Sequence, residues 1–337
     1  MQNKNTAYSI LDLAIVSKGN TLAETFENSL ALAQAADEVG YQRYWLAEHH
    51  NSDAIGSSAT SILIGKIAEG TKRIKVGSGG IMLPNHSPLI IAEQFGTLGI
   101  LYPNRIDLGL GRAPGTDRDT ANAIRSDFYQ AAMSFPEEVQ KLQDYFSIYS
   151  GSNKVRANVA EGVNVPLYIL GSSHDSAHLA AKKGLPYAFA SHFATPLLLS
   201  ALAVYREEFQ PSEVLDAPYT LAGVNIIVAD TDEEAEHIST SLYKMIIGLI
   251  TGKRGLMQAP EAMTNELREM SKHPSVQQML KYSFIGSKAT VKEKVKAFIE
   301  DTQIDEIIAV TNIYDSKDRI KSYRLFAEIM QELNNEA

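Results

Sequence analysis

Cysteine is absent from all 337 residues. That excludes disulfides, thiolate-held iron–sulfur clusters, thiolate haem ligation and cysteine nucleophiles together, so redox chemistry here would use an organic cofactor or a non-thiolate metal. No apolar run approaches the ~20 residues that span a bilayer, and the start of the chain lacks a basic region followed by an apolar stretch and a cleavage site. Positive charge is in short supply, with 31 Lys and Arg against 40 Asp and Glu and a formal net charge of −9. The cluster Lys72-Arg73-Ile74-Lys75 is too short to make the footprint that nucleic acid or an anionic membrane requires. Repeats, low-complexity tracts and Pro/Ser-rich linkers are also missing, so nothing marks a second domain. These absences predict a single-domain cytoplasmic protein, residues 1–337, with no nucleic-acid or membrane partner.

What is present is apolar material, 45% of the chain, enough for a large core. Apolar runs predict strands at 8–14, 41–47, 74–78, 105–109, 167–170, 187–190, 221–229 and 306–311. Helical patterns fall between and after them, at 22–39, 59–70, 89–101, 136–149, 176–183, 196–209, 232–250 and 317–333. Thr231 followed by Asp232, Glu233 and Glu234 reads as an N-terminal cap with acids in the first turn, and Gly40 and Gly184 sit where C-caps belong. Strand then helix, eight times, predicts an α/β fold of the (β/α)8 TIM-barrel type, with a doubly wound sheet as the alternative. Residues 251–285 fit neither pattern and read as an excursion before the last strand, a candidate lid, ahead of a further helix at 290–301.

In a parallel barrel the reactive groups gather where strands end. After the second strand come Glu48, His49 and His50, where imidazole can move a proton and a carboxylate can orient a ring, although an exposed pair of histidines or metal ligands would look the same. Side-chain alternation puts Glu48 and His50 on one side and His49 on the other. After the third strand Gly79 and Gly80 allow close backbone approach to a ligand, or simply a bend. After the fourth, Gly109-Leu110-Gly111-Arg112-Ala113-Pro114-Gly115-Thr116-Asp117 misses the dinucleotide-binding glycine spacing, and no helix is expected to open directly from it. It leaves Arg112 flanked by glycine, poised for an anion or a polarised carbonyl, or merely solvated. After the fifth, Ser172, Ser173 and Ser176 enter a helix whose free N–H groups suit a phosphate, unless the serines only cap it. Four such loops at one barrel end suggest one shared ligand, a planar cofactor bearing a phosphate.

The strings that carry these residues resemble the bacterial luciferase-like family of flavin-dependent monooxygenases. They are Tyr41 through His50, Gly77 through Pro84 with His86-Ser87-Pro88, Ala92-Glu93-Gln94, Pro103 through Arg112, and Gly171-Ser172-Ser173 with Gly184-Leu185-Pro186. The resemblance implies a (β/α)8 barrel that takes reduced FMN as a diffusible co-substrate from a separate NAD(P)H flavin reductase and oxygenates a small organic substrate with O2 through a C4a-peroxyflavin. It implies that Glu48 lies beside the flavin, that His49 is catalytic with His50 in support, and that Gly79 and Gly80 form a non-prolyl cis peptide against the ring. Gly111, Arg112, Leu170, Ser172, Ser173 and Ser176 would complete the cofactor site, and a homodimer or higher oligomer is implied. Light-emitting members carry a cysteine where this chain has Gly111 and a carboxylate where it has Ser172, so luminescence is not expected. The competing expectations are a flavin carrier without oxygenation, and a metal-dependent barrel hydrolase or isomerase recruiting His86, His174, His178 and His192.

Overall fold

The computed structural model describes residues 5–148 and 154–336. Its strands are β1 (Ala7–Asp12), β2 (Arg43–Leu46), β3 (Lys75–Met82), β4 (Ile106–Gly111), β5 (Leu167–Gly171), β6 (Tyr187–Phe189), β7 (Thr220–Ala229), β8 (Ser283–Ser287) and β9 (Glu306–Val310). Every pairing among them is parallel. From β1 to β7 each strand pairs with the next, and β9 joins β7 to β1, so eight strands close on themselves. This is the (β/α)8 barrel expected from the alternation of patterns. Closure leaves these strands no free edge and covers both faces, which is why β7 is buried along its whole length and reads as one apolar run.

The helices are α1 (Leu22–Glu38), α2 (Thr60–Glu69), α3 (Pro88–Leu101), α4 (Arg118–Ile124), α5 (Phe128–Met133), α6 (Phe135–Phe146), α7 (His174–Lys183), α8 (Leu198–Glu208), α9 (Asp232–Ile250), α10 (Asn265–Ser271), α11 (Pro274–Leu280), α12 (Lys288–Thr302) and α13 (Ser316–Glu336). Thr21 starts α1 with a reciprocal capping box to Glu24, and Thr231 accepts from the Glu234 amide at the start of α9. Gly184 ends α7 in the left-handed conformation, φ 58°. The main core lies between strands and helices. A second cluster of Leu11, Trp45, Tyr168, Ala188, Leu221, Ile308 and Val310 fills the barrel itself. Among the described residues no helix is long and apolar enough to cross a membrane.

Four expectations are corrected. A ninth strand, β8, starts within the 251–285 excursion and runs past its end, and it pairs only with Asn225–Ala229 of β7, beyond the reach of β6. Its sequence, Ser-Phe-Ile-Gly-Ser, is short, half covered and bracketed by serines, so no apolar run betrays it. The third strand does not stop at Ser78 but continues through Gly79 and Gly80 to Met82, with a register shift against β4 between Ser78 and Ile81. A helix does open directly after the Gly109–Asp117 loop, because Asp117 caps α4 by accepting from the amides of Asp119 and Thr120. Helix α7 begins at His174 rather than at Ser176. Residue 149, the expected last residue of the helix after β4, lies outside the described residues.

Candidate active site

The segment after β2 leaves the barrel interior carrying Glu48, which is fully buried. Its carboxylate accepts from His50 Nε2 at 2.8 Å, His86 Nε2 at 2.9 Å, Asn85 Nδ2 at 3.0 Å and the Met82 amide at 2.9 Å. Burial raises the pKa of such a group, but the hydrogen bonds from His50 and His86, with His86 and Asn85 adding to them, bring it down to about 2. A carboxylate can only accept, so His50 and His86 both carry their proton on Nε2. The Asn85 Oδ1 beside them is buried without a hydrogen-bond partner.

His49 points elsewhere, as strand alternation predicted. Its Nδ1 lies 3.1 Å from the Gly115 carbonyl. A carbonyl accepts only, so Nδ1 holds the proton and Nε2 holds the lone pair. Burial lowers the pKa of the ring, with the Gly115 bond and Glu48 opposing and His50 and Arg254 adding to the fall. Gly115 is fitted for this contact by its left-handed φ of 65°; a Cβ there would stand 2.6 Å from the Glu48 carbonyl.

Between β3, β4 and β5 runs a floor without side chains. The Gly79–Gly80 peptide is cis, the geometry the family resemblance implied. A Cβ on Gly80 would lie 2.7 Å from the Gly109 carbonyl and 3.2 Å from Leu170 Cδ2, and one on Gly111 would lie 2.8 Å from Met82 Sδ. Only glycine lets these strands approach so closely. Leu170, half-buried at the end of β5, supplies the apolar wall.

Beyond Leu170 the chain turns at Gly171, against which Ser176 packs, and enters α7. Ser173 is the N-cap residue, yet no side chain caps the helix. The Ser176 hydroxyl is turned inward, donating to the Ser173 carbonyl at 2.7 Å and lying 3.0 Å from Tyr187 Oη. Ser172 is exposed and Ser173 partly so. Arg112, at the end of β4, is half-exposed and reaches Asp175 in the first turn of α7 at 3.3 Å. The first amides of α7, two serines and one guanidinium therefore face solvent together, an arrangement suited to a phosphate.

The sequence-predicted site residues thus fall into two neighbouring groups at the same end of the barrel: Glu48, His49, His50, Gly79 and Gly80 on and after β2 and β3, and Gly111, Arg112, Leu170, Ser172, Ser173 and Ser176 on and after β4 and β5. The histidines named for a metal are dispersed. His86 joins Glu48, His174 lies 2.7 Å from Ser200 Oγ, and His178 pairs with Glu208. Among the described residues no group of three or more His, Cys, Asp or Glu is placed to hold a metal ion. Sequence reasoning missed Asn85 and the Gly115 carbonyl as partners of the motif. Their signal was present in Leu83-Pro84-Asn85-His86, a polar pair just after a strand end, but backbone acceptors leave no trace in residue type.

Residues 7–306 match the model of a family described as luciferase-like monooxygenase. An uncharacterized protein, YvbT, of Bacillus subtilis is 48% identical over 97% of this chain and 98% of its own length. A luciferase-like monooxygenase of Escherichia coli K12 is 45% identical over 99% of both chains. An N-acetyl-S-alkylcysteine monooxygenase of Bacillus subtilis is 30% identical over 95% of this chain and 97% of its own. The crystal structure of apo-MsnO8 superposes with a TM-score of 0.89 at 32% identity, covering 97% of this chain and 98% of that one.

Proposed function

Because the chain belongs to the luciferase-like monooxygenase family, and is a flavin-dependent oxidoreductase, we propose that it is a monooxygenase using reduced FMN and O2 on a small organic substrate. The observation that carries this reading is the order of features along three consecutive strand ends: a cis-glycine floor on β3, Arg112 just after β4 and the uncapped start of α7 after β5. The residues present fit FMN. Ser172, Ser173, Arg112 and the α7 amides would hold the phosphate, with Ser176 fixing the loop, while Gly79, Gly80, Gly111 and Leu170 would leave room for the flat ring and Glu48 would lie beside it.

When bound, reduced FMN supplies the electrons and the C4a carbon at which oxygen is activated. The chain's own part is positioning and proton transfer. His49 offers an unprotonated Nε2 at neutral pH, held in place through Nδ1, and so takes up a proton at that atom. His50 and His86, anchored on the Glu48 anion, hold the segment that orients it. The apolar barrel filling beneath the site keeps water from entering from below. We further propose that a separate NAD(P)H flavin reductase in the same cytoplasm supplies the reduced cofactor, and that the protein is a homodimer or larger. Residues 251–285 would act as a lid. The similarity to an N-acetyl-S-alkylcysteine monooxygenase makes thioethers the first compounds to screen.

The test is anaerobic mixing of protein-bound reduced FMN with oxygenated buffer, following flavin absorbance. Reoxidation at a rate different from that of free FMN is expected, and identical traces with and without protein would overturn the reading. With a turned-over thioether, His49→Ala should lower kcat by about 10²–10⁴-fold, the range for a general base, while leaving FMN affinity nearly unchanged.

A further inference from the structure

The residues proposed to hold FMN end four consecutive strands, β2 to β5. The rest of the mouth, formed by β6, β7, β9 and β1, is left free by that assignment. Just past the end of β6 stands His192. Its carbonyl accepts from Asn225 Nδ2 at 2.7 Å, and the neighbouring Ser191 hydroxyl donates to the Gly223 carbonyl at 2.7 Å, so this turn is tied to β7. The imidazole meets the backbone of β7 edge-on, Nδ1 first: a Cβ on Gly223 would stand 2.5 Å from Nδ1 and 3.4 and 3.5 Å from the two ring carbons beside it. The edge of Phe193 closes another side, with ring centroids 4.8 Å apart. Nδ1 is buried without a hydrogen-bond partner, whereas Nε2 is not among the buried unpartnered atoms. The ring therefore turns its blind nitrogen to the wall and leaves Nε2 as the nitrogen open to a ligand.

In a closed barrel of eight strands β6 stands opposite β2, which places His192 across the mouth from His49. We propose that His192 is a specificity-determining residue whose Nε2 hydrogen-bonds an amide, carboxyl or hydroxyl group of the organic substrate, on the side of the mouth that the flavin leaves open. This inference rests on the FMN reading given above. Burial, with His49 adding to it, brings the pKa of His192 down to about 4, so the ring meets a ligand neutral, as a hydrogen-bonding group rather than as a cation. None of the elements packed against it offers Nδ1 a partner, and Gly223 is the position on β7 that gives the ring its space.

The first experiment is carbethoxylation of the full chain with diethyl pyrocarbonate, with and without oxidised FMN, mapped by peptide mass spectrometry. FMN should protect His49 and leave His192 reactive. Equal protection of both would put His192 on the flavin and overturn the proposal while leaving the FMN reading intact. No protection of His49 would count against the FMN reading, and against the substrate assignment that rests on it. The second uses the N-acetyl-S-alkylcysteine that the wild type turns over fastest. His192→Phe should raise KM about tenfold, the loss of one hydrogen bond, with His192→Asn recovering part of it. FMN affinity should stay constant in both, and Gly223→Ala, which displaces the ring without removing it, should raise KM as well. An unchanged KM in His192→Phe would overturn the proposal.

Discussion

Glu48 is a carboxylate that burial alone would protonate, and it stays ionised because four donors converge on it. Its folded pKa is depressed from 4.5 to about 2, so the stability it contributes is fully present above pH 4.5 and is lost as pH falls toward 2. That shift corresponds to about 3 kcal/mol, an order-of-magnitude figure. Unfolding free energy measured by denaturant titration should therefore fall between pH 5 and pH 3 in the wild type. Glu48→Gln retains the shape but loses the charge. It should lower stability by about 2–4 kcal/mol at pH 7 and flatten that acid-side slope. An unchanged slope would show that another carboxylate governs it. The same residue organises function, since His50 and His86 hang from it and His49 follows it directly in the chain. Asp12, by contrast, is buried just as fully but serves α13: it accepts from Arg319 at 2.8 Å, from Ser29 and from Tyr44, and binds the helix to β1 and β2.

At the scale of elements, the start of α7 is the clearest meeting of local structure and ligand chemistry. Asp175 in its first turn favours the helix dipole, yet its charge sits where a phosphate would arrive and it engages Arg112. Both partners of that pair are more than half exposed, so the pair contributes little stability. Asp175→Asn should consequently tighten FMN binding by about three- to tenfold, measured by quenching of flavin fluorescence, with the effect shrinking as salt rises. Weaker binding would mean that Asp175 orients Arg112 rather than competing for it. Legibility in the sequence followed the same physics. Strands covered on both faces, such as β7, announced themselves as apolar runs, and capped helices such as α9 as periodic ones. Strand β8 did not, because one face lies open and serines bracket it. Gly79, Gly80 and Gly111 were legible as glycines but not as strand residues, since close packing of backbones leaves no apolar signature. His49 and Glu48 were read from the chain, but the carbonyl that fixes the His49 tautomer and the partnership of His86 and Asn85 with Glu48 depend on tertiary contact.

On the whole molecule, polar chemistry is placed at both ends of the barrel for opposite purposes. At the end where strands begin, Arg43 donates to Glu306 through Nε at 2.7 Å and to Asp107 and Tyr168 through Nη1 at 2.5 and 2.7 Å, while Trp45 donates to Asp107 and Tyr219 to Glu306. All of these carboxylates are buried, and the guanidinium also lies 4.9 Å from the centre of the Tyr168 ring. One cation thus ties β2, β4, β5 and β9 together beneath the apolar filling, and the site lies on the far side of that filling. Removal of the cation leaves two buried carboxylates without their counter-charge, a situation that costs about 3–5 kcal/mol. Asp107 already shows the tension, its pKa raised by burial against the pull of Arg43. Arg43→Met should therefore shift the denaturation midpoint strongly downward at pH 7 and lose part of that deficit as pH falls and Asp107 takes up a proton. Because Arg43 itself hydrogen-bonds none of the residues at the mouth, the fraction that remains folded should bind FMN with wild-type affinity. A variant that kept its stability but lost FMN binding would mean that the barrel transmits changes along its axis, and would refute the separation of a stabilising end from a reactive one.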